Sequence, residues 1–280
     1  MKRLLGALVL ALLMNAAWAG FEEGSAAYEK KDFPAALGEW RPLAEAGDSR
    51  AQYRLGLMYE NASGLPQDDK EAARWYRLAA GQGHAEAQYR LWVMYYQGQG
   101  VAQDEQEALR WLRLAVDQGL AIARNDLAGM HAAGLLVARD DQEAVRGYRL
   151  AAEQGLALAQ YNLGLMYASG QGVSQDEKQA GHWFSLAADQ GFAVAQNDLG
   201  AMYANGLGGL PENRVVAYAL CQLSADNEPS RDATINLFKL TRKLDPEQIE
   251  VARKLSREMA QGKPGEVIER YLRTVSVGKP

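Results

Sequence analysis

Apolar side chains along this chain fall in a helical rhythm that repeats itself. Ala51, Leu55, Met58 and Tyr59 recur at i, i+4, i+7 and i+8, one stripe of an α-helix. After a turn, a second stripe follows in Ala72, Trp75 and Ala79. The text AQYRLGLMYE at 51–60 returns as AQYNLGLMYA at 159–168, a distance of 108 positions (159 − 51), or three steps of 36. The same step aligns Gln52, Gln88, Arg124, Gln160 and Gln196, and likewise Gly47, Gly83, Gly119, Gly155 and Gly191. Asp68, Asp104, Asp140 and Asp176 follow it too. The pattern predicts a tandem array of helical hairpins.

Polar and glycine positions mark where each helix starts and stops. Gly98-Gln99-Gly100-Val101 and Gly170-Gln171-Gly172-Val173 are turns in which glycine supplies positive φ as the chain reverses. Asp68 with Glu71, Asp104 with Glu107, Asp140 with Glu143 and Asp176 with Gln179 read as capping boxes. Behind each cap, small residues flank one bulky aromatic: Ala72, Trp75, Ala79; Ala108, Trp111, Ala115; Ala180, Trp183, Ala187. Gln118-Gly119 and Gln154-Gly155 are left-handed helix stops. One such hairpin cannot bury its own apolar stripe, so copies must stack.

The frame Ala-x-Ala-Gln-Tyr-x-Leu-Gly-x-x-Tyr, then Gly-x-Gly-Val, Asp, Ala, Trp and Ala-Ala-x-Gln-Gly resembles the Sel-one-like repeat, a relative of the tetratricopeptide repeat. The resemblance covers five units over 48–227 and implies an all-α fold, a right-handed α-solenoid of stacked helix-turn-helix repeats. An opening hairpin is expected over 20–47, with Ala27, Tyr28, Leu37 and Trp40 inward and a kink at Pro42. Closing helices are expected over 228–262, read as Ser230 to Leu244 and Asp245 to Gln261; the tail over 263–280 reads as a short helix at 265–273 with a loose end.

Ahead of the array, Lys2 and Arg3 precede an apolar run from Leu4 to Met14, and Ala17-Trp18-Ala19 offers small residues for a signal peptidase. This predicts a signal peptide over 1–19, cleavage after Ala19, and a periplasmic or secreted protein with no membrane span after cleavage. The lone cysteine, Cys221, excludes an internal disulfide and reads as a small core residue. Hydrophobic residues at 48% and charged residues at 23% argue against disorder. The formal charge of −5 becomes −7 (−5 − 2) once Lys2 and Arg3 are removed, and no basic patch is present, so nucleic acid is not an expected partner.

Catalytic constellations are thin. His84, His131 and His182 have no metal-ligand partner at a helical spacing, and no nucleophile elbow, phosphate loop or zinc motif is present. No cofactor and no metal is expected. The repeated aspartates fit helix starts better than a carboxylate pair, and Met58, Met94, Met130, Met166 and Met202 with Tyr59, Tyr95, Tyr167 and Tyr203 recur as core.

Binding positions are therefore carried over from the resemblance, in which the first helix of each hairpin lines a concave groove. It places Tyr53, Leu57, Glu60, Tyr89, Val93, Tyr96, Asn125, Gly129, Tyr161, Leu165, Asn197 and Ala201 there. The function it implies is a non-enzymatic scaffold or adaptor for a protein or peptide of the bacterial envelope. Beside it stand a regulator or inhibitor of an envelope enzyme or host factor, and a hydrolase acting on cell-wall material, against which the missing motifs argue.

Two copies break the rule. Where others have Gly56, Ala128, Gly164 and Gly200, the second has Trp92, while the third has His131 for Tyr and Gly147 for Trp. Trp92 is either repacked core or, with Tyr89 and Tyr96, an exposed aromatic patch for a partner.

Overall fold

The computed structural model describes residues 18–277. The expected signal peptide thus lies outside the described residues, apart from Trp18 and Ala19. All regular structure among the described residues is helical. The chain divides into two compact units, Met1–Ala123 and Arg124–Pro280. The first holds α1 over 18–29, α2 (Phe33–Glu45), α3 (Ser49–Glu60), α4 (Asp69–Gly81), α5 (Ala85–Gln97) and α6 (Glu105–Asp117). The second opens within α7 (Ala121–Ala133) and continues through α8 (Asp141–Glu153), α9 (Ala157–Ser169), α10 (Glu177–Asp189), α11 (Ala193–Asn205) and α12 (Arg214–Asn227). It ends with α13 (Arg231–Thr241), α14 (Pro246–Met259) and α15 (Pro264–Val277). α2 continues through Pro42.

The capping aspartates hold the helix starts. One carboxylate oxygen of Asp68 accepts from the amides of Lys70 and Glu71 at 3.0 and 3.1 Å, and Asp104 and Asp140 do the same. The expected boxes nevertheless form only by half. The amide that the later Glu should have met already donates across the hairpin: Asp68 N to Tyr59 O at 3.1 Å, and Asp104 N to Tyr95 O at 3.0 Å. Asp140 N and Asp176 N are spent likewise on His131 O and Tyr167 O, each at 3.0 Å. With that donor taken, Glu71, Glu107 and Glu143 turn to Arg74, Arg110 and Arg146, one helical turn on. The complete box appears at Asp245, whose amide donates to Gln248 Oε1 at 3.1 Å while Gln248 N donates back to the carboxylate at 2.8 Å.

Within a hairpin, helices pair around a ring over a glycine. A Cβ built on Gly56 would collide with the Tyr76 ring, and one on Gly164 with the Phe184 ring. The wedge between the two helices is thus Tyr76 and Phe184, one residue after the repeat tryptophan. The same register in the other copies holds Leu112, Tyr148 and Cys221. The second glycine of each Gly-x-Gly turn is dictated by contact with the preceding hairpin: at Gly100 (φ +65°) a Cβ would strike the Asp69 carbonyl, and at Gly172 (φ +65°) that of Asp141.

Neighbouring hairpins are stitched by the repeat glutamine. Gln52 Nε2 donates to Ala44 O at 3.0 Å, and its Oε1 accepts from Gln82 Nε2 at 2.8 Å. In the second unit, Gln160 bridges Ala152 O (3.2 Å) and Gln190 (2.8 Å), and Gln196 bridges Ala188 O (3.2 Å) and Asn227 (3.0 Å). These side chains are buried, where an amide left unbonded would be costly. Gln88 keeps its bond to Ala80 O at 3.1 Å but its Oε1 has no partner.

The first unit closes on Trp40, Leu55, Met58 and Trp75, with Ala27, Tyr28 and Leu37 packed against them. Trp40 Nε1 donates to Phe21 O at 3.1 Å. The second unit gathers its core on α12, which packs against α11, α13 and α14. The tail differs from the expected short helix with a loose end. α15 runs to Val277, buries Val267 and Ile268, packs on α10 and α14, and donates Gly265 N to Asp189 Oδ1 at 2.7 Å.

Candidate functional site

The first helices of the hairpins carry the positions assigned to the groove, and each unit presents its own set. In the first unit, Tyr53 is half-buried, its ring stacked on His84 at 4.7 Å and 5.8 Å from Tyr76. Leu57 and Glu60 are half-buried beside it. The Glu60 carboxylate accepts from the Tyr76 hydroxyl through a short hydrogen bond and meets Arg90 Nη1 at 3.3 Å. Burial and that carboxylate push the Tyr76 phenol far above its ordinary range, so it stays neutral and donates. His84 Nδ1 lies 3.2 Å from Glu86 Oε2 without forming a hydrogen bond. Burial holds the imidazole pKa below 6.5, with Arg54 adding to the effect and Glu86 and Asp48 opposing it.

On α5, Tyr89 and Val93 are half-buried. Trp92 is only 6% exposed, so the structure places it in the core and not in a surface patch. Volume explains the exchange: where Gly56 faces Tyr76, the corresponding pair is Trp92 and Leu112, the large ring now coming from the first helix. The third copy makes another such exchange, since a Cβ on Gly147 would lie 2.8 Å from Ala128 Cβ, leaving no room for an indole. Tyr96 is 39% exposed and its ring lies 4.8 Å from that of Trp92. The aromatic patch is therefore one exposed tyrosine seated on a buried indole.

In the second unit, Asn125 and Asn197 do not face outward as the groove assignment requires; they are 5% and 6% exposed. Each amide is committed to its neighbours. Asn125 Oδ1 accepts from Asn162 at 2.9 Å and Asn197 Oδ1 accepts from Asn236 at 3.0 Å, and their Nδ2 groups donate to Asp126 and Asp198 at 3.2 Å. Tyr161, half-buried, packs on Phe184 and Phe192 and donates to Asp198 Oδ2 at 2.9 Å. Burial raises the Asp198 pKa, against the opposing bonds from Tyr161 and Asn197. Gly129 lies near Tyr148, Ala201 lines a cavity with α13, and Leu165 is 41% exposed.

The structure therefore brings together residues that the sequence reading did not assign to the groove: Tyr76, His84 and Arg90 around Tyr53, and Asp198 and Asn236 around Asn197. A signal existed, because Arg54, Arg90, Asp126, Asn162 and Asp198 share one register of the repeat and change from basic to acidic along it. Other expected core positions are looser. Tyr59, Tyr95, Tyr167 and Met130 are only half-buried, and Tyr95 and Tyr167 accept from Arg77 (3.1 Å) and Arg149 (2.9 Å). His131 Nδ1 lies 3.2 Å from Ala138 O, and His182 is exposed against Trp183. No group of three His, Cys, Asp or Glu residues among the described residues could hold a metal ion. No helix among them is long and apolar enough to cross a membrane.

The family model of the Sel1 repeat matches five consecutive segments, 49–84, 85–120, 121–156, 157–192 and 193–228. The chain belongs to the Sel1 repeat family. Among solved structures, a Sel1 repeat protein from Oxalobacter formigenes is 31% identical, with a TM-score of 0.74 over 85% of this chain and 99% of that one. A protective antigen present in uropathogenic Escherichia coli strains, c5321, which displays an SLR fold, is 27% identical over 91% of this chain and 70% of that one, with a TM-score of 0.44. No curated protein matches the chain. Its α-solenoid fold class is thus that of the Sel1 repeats, with the hairpins and glutamine bridges described above as the repeating unit.

Proposed function

We propose that this Sel1 repeat protein is a non-enzymatic scaffold that binds a protein or peptide of the bacterial envelope along the first-helix faces of its hairpins. The observation that carries the reading is Tyr96. Its ring is exposed yet held by the buried Trp92, so it presents a large amphipathic surface with little conformational entropy left to lose on binding. Leu165 offers a second exposed apolar contact on the corresponding helix of the second unit. The titratable groups on these faces are engaged in structural bonds: Glu60 with Tyr76 and Arg90, Asp198 with Tyr161 and Asn197. The Cys221 thiol is fully buried and its pKa is pushed up to about 12, which removes it as a nucleophile near neutrality. The envelope setting rests on the export signal read over 1–19.

The test is affinity capture from envelope extract with the native chain and with Tyr96→Ala. A hot-spot aromatic loses about 2 kcal/mol on truncation, roughly thirtyfold in affinity, with the unfolding midpoint unchanged. Undiminished capture by a folded Tyr96→Ala protein would overturn the reading.

A further inference from the structure

The first-helix face of the second unit ends in a cavity of about 180 Å³ between α11, α12 and α13. Its apolar wall comes from Ala201, Ala204 and Leu240, with the Cys221 side chain behind them. Its rim carries three cations, Arg214, Lys239 and Lys243, all exposed. Arg214 is paired with Glu212 at 2.7 Å. Neither lysine ammonium has a carboxylate partner among the described residues. On a chain of formal charge −5, two unpaired lysines and an arginine converging on one hollow make a local reversal of sign. The wall amides are already committed, Asn236 Nδ2 to Asn197 and Asn205 Nδ2 to Ala201 O at 2.7 Å. A ligand would thus be met by cations at the rim, with methyl and methylene groups and the Asn205 and Asn236 amides in the wall.

Size narrows the occupant. Whole small-molecule ligands occupy about 300–1,000 Å³, and at ~30 Å³ per water this hollow holds roughly six waters' worth of liquid. That suits one short chain element with an apolar stem and an anionic tip. We infer that the cavity receives a polypeptide carboxylate, an acidic side chain or a C-terminus, of the partner lying along the first-helix face. The inference rests on the scaffold reading and adds the chemistry of one contact: Lys239 and Lys243 supply the charge, Arg214 shares itself with Glu212, and Leu240 and the alanines take the stem. Because the cations are exposed, the attraction is screened by salt.

Amide-resolved NMR on the full chain tests this with three probes: the blocked peptide Ac-Ala-Glu-Ala-NH2, its glutamine counterpart Ac-Ala-Gln-Ala-NH2, and Ac-Ala-Ala-Ala with a free C-terminus. One or both carboxylate probes should shift the Ala204, Asn205 and Asn236 amides saturably and less so at 0.3 M NaCl, while the glutamine peptide should not. Which carboxylate probe binds separates side chain from terminus. Lys239→Gln with Lys243→Gln, which keeps much of the stems, should lower affinity at least tenfold without moving the unfolding midpoint. Equal shifts with all three probes, no saturable shift, or native affinity in the double variant would overturn the inference. Its failure is distinguishable from that of the scaffold reading. A partner captured equally by the double variant but weakly by Tyr96→Ala leaves the scaffold standing and removes the carboxylate contact. A saturating carboxylate probe with capture indifferent to Tyr96→Ala does the reverse.

Discussion

Trp92 shows how one residue can break the repeat and keep the fold. Its indole occupies a first-helix register that elsewhere holds glycine or alanine, and Leu112 stands where Tyr76, Tyr148 and Phe184 bring larger rings. Trp92→Ala is therefore expected to cost about 3–5 kcal/mol, because it removes a buried indole and leaves a cavity in its place. Chemical denaturation reads this directly, and a loss under 1 kcal/mol would return Trp92 to the surface-anchor reading. Ala62 presents the opposite case, a residue at φ +52° just past α3 where other copies place Gly98 and Gly170. The left-handed backbone costs an L-residue about 1–2 kcal/mol, partly offset by glycine's greater freedom in the unfolded chain. Ala62→Gly should accordingly stabilise by about 0.5–1 kcal/mol; a destabilised variant would show that the Ala62 methyl contributes packing. At the caps, Asp104→Ala should cost about 0.5–2 kcal/mol, since it frees two first-turn amides.

At the scale of elements, hairpins depend on groups that neighbouring elements supply. His84 precedes α5 without its side chain accepting from a first-turn amide, and instead stacks on Tyr53. Its pKa is below 6.5 in the folded chain, chiefly through burial, so the unfolded chain takes up protons first as the pH falls. The stability this group contributes is complete above about pH 6.5 and is lost as the pH falls through and below that value. Phe192 holds the same register in the last copy, and His84→Phe should flatten the dependence between pH 7 and 5. Urea midpoints across that range decide it: an unchanged slope would assign the acid sensitivity to other groups. The glutamine bridges depend on neighbours too, since Gln52 and Gln160 donate to a carbonyl of the preceding hairpin, Ala44 or Ala152, while accepting from the glutamine that ends their own, Gln82 or Gln190. α15 closes the second unit in this sense, packing on α10 and α14 and burying Val267 and Ile268.

At the scale of the whole molecule, the expected export product begins at Gly20, carries a formal charge of −7 (−5 − 2), and has no internal disulfide to depend on. Intact mass of material recovered from outside the cytoplasm checks it, and a retained Met1 in a membrane pellet would refute it. The period of 36, the helix starts at the aspartates, the turns at paired glycines and the family itself were all written in the sequence. Each rests on local chemistry, capping, φ preference and helical periodicity, that repeats with the text. The direction in which a repeated position points was not. Tyr53, Asn125 and Asn197 share one register, yet the asparagines are buried under Asn162 and Asn236 and the tyrosine lies half-exposed on His84. Trp92 was ambiguous until its burial was known, and the cavity of Lys239, Lys243 and Arg214 follows no repeated spacing because three helices converge to make it. Burial and hydrogen bonding at each of these places come from side chains a full repeat or a helix away, and only the packed hairpins determine which of them arrive.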